Sequence, residues 1–362
     1  IPSESFKKTG LKFSSAQDTV KSWQLKTGAI SYTIFTLPQH LLPVSESVTR
    51  SSLTEWGKLN GVNTEQNIKE GSTPSEKEKA YDVVFREGQR RLLAELSDSR
   101  NGEIKLVDKL GLKKLKTELN ALKESGDIQA LGKREAEVAR LFQQAISEYP
   151  YNMETCHIAE ILNKKEMNCV GASVLGGALL DDVGIKYQVG HIGNHVLLIT
   201  ITSDGKIWWQ DMQDGLERPE IGNEELTADK IEGNTPSEIA DFANNPTKES
   251  LKFFVKKEYW KGQPLTLTQP NIGLELQELI STGYMLGNKG RNKEAIEILE
   301  VAKFKSSEDI DVYLGLSRAY KNEKRYAEAI SACSKALEID PDNNYLKGLL
   351  DELKTLASAS NS

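Results

Sequence analysis

The chain has 362 residues, enough for two or three domains with a core in each. Its 46 basic and 53 acidic residues leave a net charge of −7, which argues against nucleic acid or an anionic membrane as the main partner. Apolar residues make up 38%, none of them in a run long enough to span a bilayer, and three cysteines do not make a disulfide framework. The first residue is Ile1 rather than Met, which fits either a chain cut by processing, with a leader removed, or one shortened by design. The reading is therefore a soluble protein, cytoplasmic or exported, with no membrane span.

Residues 1–70 read as an N-terminal segment packed on the core domain, with at least one strand, Ala29 to Leu37, rich in β-branched and aromatic residues. Gln39 to Pro43 ends it, and His40 reads as structural or exposed. From Gly57 to Ser72 the chain is polar and loop-like. Thr73-Pro74-Ser75-Glu76 is a capping box that opens a helix to about Leu96. Asn101-Gly102 breaks the chain. Leu112, Leu115, Leu119 and Leu122 then mark an amphipathic helix that Gly126 ends. Lys113, Lys114 and Lys116 are its solvated face. Val138, Leu141, Phe142 and Ala145 mark another helix, closed by Tyr149-Pro150. Cys156-His157 reads as partly buried structure.

The segment Asn168 to Met212 carries the chemistry. Cys169 opens a run with Val170, Val174, Ala178 and Val183 at helical spacing, and Gly184 stops it. Two β-rich runs follow, His195 to Thr202 and Lys206 to Asp211. So a Cys stands at a helix start, a His at the start of one strand and an Asp at the end of the next. Thiol catalysis uses these groups: the helix dipole favours the thiolate, the His takes its proton, and the carboxylate orients the imidazole. The pair His191 and His195 has H-x-x-x-H spacing, but Ile192-Gly193-Asn194 between them is loop chemistry and does not present both rings on one helix face. No metal and no cofactor are expected.

These residues resemble the transglutaminase-like branch of the papain-type superfamily. Asn168-Cys169, the His195 to Ile199 strand and Ile207 to Asp211 match its order of helix start, strand and adjoining strand. The resemblance covers about 45 residues and implies an α+β papain/transglutaminase-like domain, here 71–268, with Cys169, His195 and Asp211 as catalytic residues. The gap of 26 residues from Cys169 to His195 is shorter than the family commonly shows, which implies reduced loops around the acceptor site. Strand parity adds a condition. A two-residue Asp204-Gly205 hairpin would put His195 and Asp211 on opposite faces. A three-residue loop, Ser203-Asp204-Gly205, makes paired numbers sum to 408 and puts them on one face. The expected loop is the latter, with Gly205 at positive φ.

After Asp211, a second capping box at Thr235 to Glu238 starts a short helix, Leu251 to Val255 reads as a strand, and Gly262 to Pro270 as a linker. Within 269–362, Tyr313, Leu316, Tyr320, Ala329, Cys333, Ala336 and Pro341 recur at a period of 34 against Leu279, Thr282, Leu286, Ala295, Leu299, Ala302 and Ser307. This is the spacing of the tetratricopeptide repeat: two repeats and a capping helix, Tyr345 to Leu356, an all-α array that offers a surface for a protein partner. Cys333 sits at a packing position. Asp340 to Asn344 lacks the glycine of a calcium loop and reads as a turn. Bacterial transglutaminase-like proteins with trailing repeats are similar in architecture. The expected function is thiol-dependent acyl chemistry on an amide or peptide substrate, by hydrolysis or amine transfer. The alternative is an inactive scaffold that binds a partner through its repeats.

Overall fold

A computed structural model describes residues 21–27, 30–36, 52–64, 72–97, 106–152, 155–192, 195–212, 223–245, 250–256 and 264–360. His40 with its Gln39–Pro43 segment, Asn101-Gly102 and Gly193-Asn194 lie outside these residues. The chain gathers into two compact units. One is Arg86–Glu275; the other joins Ile1–Phe85 with Leu276–Ser362.

The second of these units begins with β1 (Lys21–Thr27) and β2 (Ile30–Thr36), a strand where the sequence predicts one. After α1 (Ser52–Leu59), the strand β3 (Val62–Thr64) completes an antiparallel sheet in the order β1-β2-β3. The stretch read as a loop from Gly57 thus begins inside a helix and includes a strand. Its local composition is polar, but Trp56 is fully buried: it stacks on Phe85 at 6.3 Å and donates from Nε1 to the Tyr81 carbonyl at 3.1 Å. Tyr81 and Phe85 belong to α2 (Pro74–Ser97). The Thr73 capping box is present, with the Thr73 N–H donating to Glu76 at 2.9 Å and the Glu76 N–H to Thr73 Oγ1 at 3.3 Å.

In the unit Arg86–Glu275, α3 (Leu106–Leu110) leads into α4 (Leu112–Ser125) and α5 (Ile128–Ser147). Leu112, Leu115 and Leu119 are buried, and the three lysines beside them are exposed. Gly126 closes α4 in the left-handed region at φ 74°. Next come α6 (Ile158–Lys164) and α7 (Cys169–Val183), the latter closed by Gly184 at φ 77°. The strands β4 (Lys186–Ile192), β5 (His195–Ile201), β6 (Ile207–Gln210), β7 (Asn223–Glu225) and β8 (Ile231–Glu232) precede α8 (Pro236–Ala243). Then follow β9 (Ser250–Val255) and β10 (Pro264–Thr268). Thr235 caps α8 with the full reciprocal box.

The strands form one antiparallel sheet in the order β7-β6-β5-β4-β10-β9-β8. The linker expected from Gly262 to Pro270 is corrected by this sheet, because β10 lies inside it, between β4 and β9. Its P-L-T-L-T alternation buries Leu265 and Leu267, a period-two signal hidden by the prolines at each end. Strand β4, which the sequence does not mark, is buried along most of its length, so it shows no alternation.

Residues paired across a ladder share a face. One face carries Ile192, Leu197, Ile199, Ile207, Trp209, Phe253, Leu265 and Leu267, in one core with Ile239 and Phe242 of α8. The other face carries Tyr187 and Val189 and meets α7. Gly177 of α7 lies so close to the sheet that a methyl group there would stand 2.8 Å from the Tyr187 hydroxyl, and Ser173 Oγ donates to the Val196 carbonyl at 3.4 Å. Its small residues are what let the helix approach the strands.

The β5–β6 hairpin has the three-residue loop that parity requires. Leu198 pairs with Gln210 and Ile201 with Ile207, so paired numbers sum to 408. The Thr202 N–H donates to Lys206 O at 3.0 Å, and Gly205 sits at φ 82°. A methyl group at 205 would meet no atom within 4 Å, so only its backbone conformation resists substitution. Gly205→Ala is expected to cost about 1 kcal/mol, and Gly205→Asn less, in urea unfolding. Equal midpoints for all three chains would show that the loop tolerates a side chain at positive φ.

The helices α9 (Pro270–Asn288), α10 (Asn292–Lys305), α11 (Ile310–Asn322), α12 (Tyr326–Ile339) and α13 (Asn344–Ser360) complete the chain. Leu279, Thr282, Leu286, Ala295, Leu299 and Ala302 are buried, and so are their counterparts 34 residues on. Gly283 is needed for closeness: a methyl group there would stand 2.5 Å from Leu299 Cγ. Two ion pairs tie the array to the N-terminal residues of its own unit. Arg291 donates to Glu55 at 3.0 Å, and the nearly buried Lys305 pairs with Glu78 at 2.6 Å.

Candidate active site

Cys169 is the first residue of α7. The helix starts there because Asn168 is extended, at φ −95° and ψ −174°, and its side chain accepts the Gly171 N–H at 3.0 Å. The Asn168 N–H in turn donates to the Thr155 carbonyl at 2.7 Å, which fixes the entry of the chain into the helix. Nothing in the sequence points to Thr155, since only the fold brings it there. Gly171 stands where a methyl group would come 3.3 Å from the Cys156 carbonyl, so the helix start is packed on the 155–156 backbone. Cys169 is half-buried, whereas Cys156 and Cys333 are buried.

His195 is the first residue of β5 and Asp211 follows the last residue of β6. In the 408 register Asp211 falls opposite Leu197, two residues along the strand from His195 and on its face. His195 Nε2–H donates to Asp211 Oδ2 at 2.8 Å, with both side chains mostly shielded from solvent (23% and 19% exposed). Cys169 stands close enough to the ring to interact with it electrostatically. The structure therefore brings all three predicted residues together.

Burial works against a charged ring, but the hydrogen bond to Asp211, the interaction with Cys169 and the charges of both outweigh it. They raise the His195 pKa from 6.5 to about 10. A group whose pKa rises on folding stabilises the fold fully below its unfolded value and loses that contribution as pH climbs through its folded value. Stability from this pair is thus expected to be complete below about pH 6.5 and to fall toward pH 10. Urea midpoints at pH 6 and pH 10 check this: Asp211→Asn should shrink the difference between them, and an unchanged difference would separate it from His195.

His191 pairs with Val196, whereas His195 pairs with Ile192, so strand alternation assigns the two histidines to opposite faces of the sheet. Among the described residues no group of three or more His, Cys, Asp or Glu is placed to hold a metal. The second Cys/His pair is more closely associated than expected for adjacent residues. Cys156 Sγ lies 3.4 Å from His157 Nδ1, and the buried His157 contacts Glu160 at 3.1 Å. This arrangement holds the segment before α6.

Residues 310–343 match the family model of the tetratricopeptide repeat, as the 34-residue period requires. The chain matches none of the curated proteins and none of the solved structures compared with it. The match describes one repeat and leaves Arg86–Glu275 outside it. Tetratricopeptide repeats point to protein interaction. Among the described residues, no helix is long and apolar enough to cross a membrane.

Proposed function

We propose that Arg86–Glu275 is a papain-type, transglutaminase-like domain that carries out thiol acyl chemistry on an amide, with Cys169, His195 and Asp211 as its catalytic residues. The observation that carries this reading is the 2.8 Å bond between His195 Nε2 and Asp211 on a ring that also interacts with a cysteine at a helix start. With Nε2 engaged by the carboxylate, Nδ1 is the ring atom left for the sulfur. The thiolate attacks the amide carbonyl carbon, and the first-turn N–H of Cys169 stabilises the oxyanion. His195 gives its proton to the departing amine as the C–N bond breaks, leaving a thioester. Water or a second amine then gives up a proton to His195 and resolves the thioester. Asp211 keeps the ring oriented through both steps.

The test is a peptide-amide library with the intact chain. Release of ammonia or amine, or incorporation of an added amine, should vanish in His195→Ala and Cys169→Ala. Turnover that persists in both would remove these residues from the chemistry. A second reading rests on the repeat match: a scaffold without turnover that binds a protein partner through 276–360. It predicts no thioester under any acyl donor and partner binding unaffected by Cys169→Ala.

A further inference from the structure

The helix that carries Cys169 touches the strands of His195 and Asp211 at two places along one side. Ser173 and Gly176 come four and seven residues after Cys169, so all three share one side of α7. The buried Ser173 donates from Oγ to the carbonyl of Val196, the residue after His195, at 3.4 Å. Gly176 lies against Met212, the residue after Asp211. A methyl group at 176 would stand 2.9 Å from Cγ, Sδ and Cε of that side chain. In the 408 register Val196 falls opposite Met212, so both contacts meet one cross-strand position, next to that of Leu197 and Asp211.

The contact at Gly176 is tight. Met212 is 1% exposed, and its Cγ is the first atom beyond Cβ, so swinging the far end of the side chain does not clear a methyl group. Helix preference runs the other way, because alanine is a better helix former than glycine. The close approach of Met212, and not the helix itself, is therefore what calls for glycine here. A side chain at 176 would push α7 off the sheet, or push Met212 along and Asp211 with it. Either movement changes the separation of Cys169 from the His195–Asp211 pair.

We infer that Gly176 and Met212 are positioning residues: their contact sets the distance between the Cys169 sulfur and the His195–Asp211 pair, and the Ser173–Val196 bond is its second tie. The inference deepens the acyl reading and rests on it for turnover alone. The test follows the His195 imidazole of the intact chain by NMR across pH, assigned with His195→Ala. Gly176→Ala should lower the midpoint from about 10 by at least about one unit, a tenfold loss of preference for the charged ring. Ser173→Ala, which removes the bond at nearly the same volume, should lower it by less. Adding Met212→Ala to Gly176→Ala removes the three atoms in the way and should return at least about half of the shift, a coupling that two independent sites would not show. A purely structural role would move melting temperatures and leave the titration in place. A midpoint unchanged in folded Gly176→Ala, or not recovered in the folded double variant, would overturn the assignment. If Gly176→Ala does not fold, Met212→Ala should restore folding, and failure to do so overturns it equally. Where the chain turns over, kcat should follow the midpoint through these variants with KM unchanged. Recovery of the midpoint on a wild-type chain that turns over no amide would sink the acyl reading and leave the spacing role standing.

Discussion

At pH 6, iodoacetamide is expected to label Cys169 at least about tenfold faster than Cys156 or Cys333, and Cys169→Ala to lose both that label and all turnover. An ordinary thiol is about 0.3% ionised at that pH. Cys156 and Cys333 are buried, and burial pushes the Cys333 thiol up further. Cys169 is half-buried and stands against an imidazolium whose pKa reaches about 10, so at pH 6 the ring is a fixed positive charge beside the sulfur. Alanine suits the first turn of a helix, and Asn168 caps it through atoms that the substitution leaves in place. Circular dichroism should therefore be unchanged. His195→Ala should slow labelling toward the rate of a half-exposed ordinary thiol. Equal slow labelling of all three cysteines would sink the acyl-transfer reading and leave the binding one.

Trp209→Ala is expected to cost about 3–5 kcal/mol, a large share of the 5–15 kcal/mol by which a domain is stable. Trp209 is 1% exposed and lies at the middle of the core on the His195 face, opposite Ile199 and in the cluster with Phe253 and Phe242. It also stands two residues before Asp211 on the same strand face. Loss of the ring should loosen the end of β6 as well as the core, so the His195 titration should move down toward 6.5 in any folded fraction. Trp209→Phe, which keeps an aromatic ring, should cost less than half as much in chemical denaturation. A loss below about 1 kcal/mol for the alanine variant would show that the core is not organised around this side chain.

Much of this protein is legible one segment at a time. The period of 34 places buried residues in both helical pairs, because packing of each repeat depends on its own spacing and on its neighbour. The capping boxes at Thr73 and Thr235 and the glycine stops at Gly126 and Gly184 are local backbone chemistry and stand where the residues place them. The relation of His195 to Asp211 follows from alternation along strands and the positive φ open to Gly205.

Other features depend on partners distant in sequence. Strand β10 pairs with β4 more than seventy residues earlier, and a proline-flanked stretch shows nothing of that ladder by itself. The helix at 52–59 is polar in composition and is held by Tyr81, Phe85 and Arg291. The carbonyl of Thr155 that fixes the start of α7 carries no side-chain signal. The charge on His195 is likewise a tertiary property: residue order names the three groups, but their interactions, set against the cost of burial, determine the protonation of the ring. Sequence alone determined the periodicities, caps and strand parity of this chain, because each is a property of neighbouring backbone. Only the tertiary structure decided strand order, burial and ionisation, because those are set by groups that meet through folding.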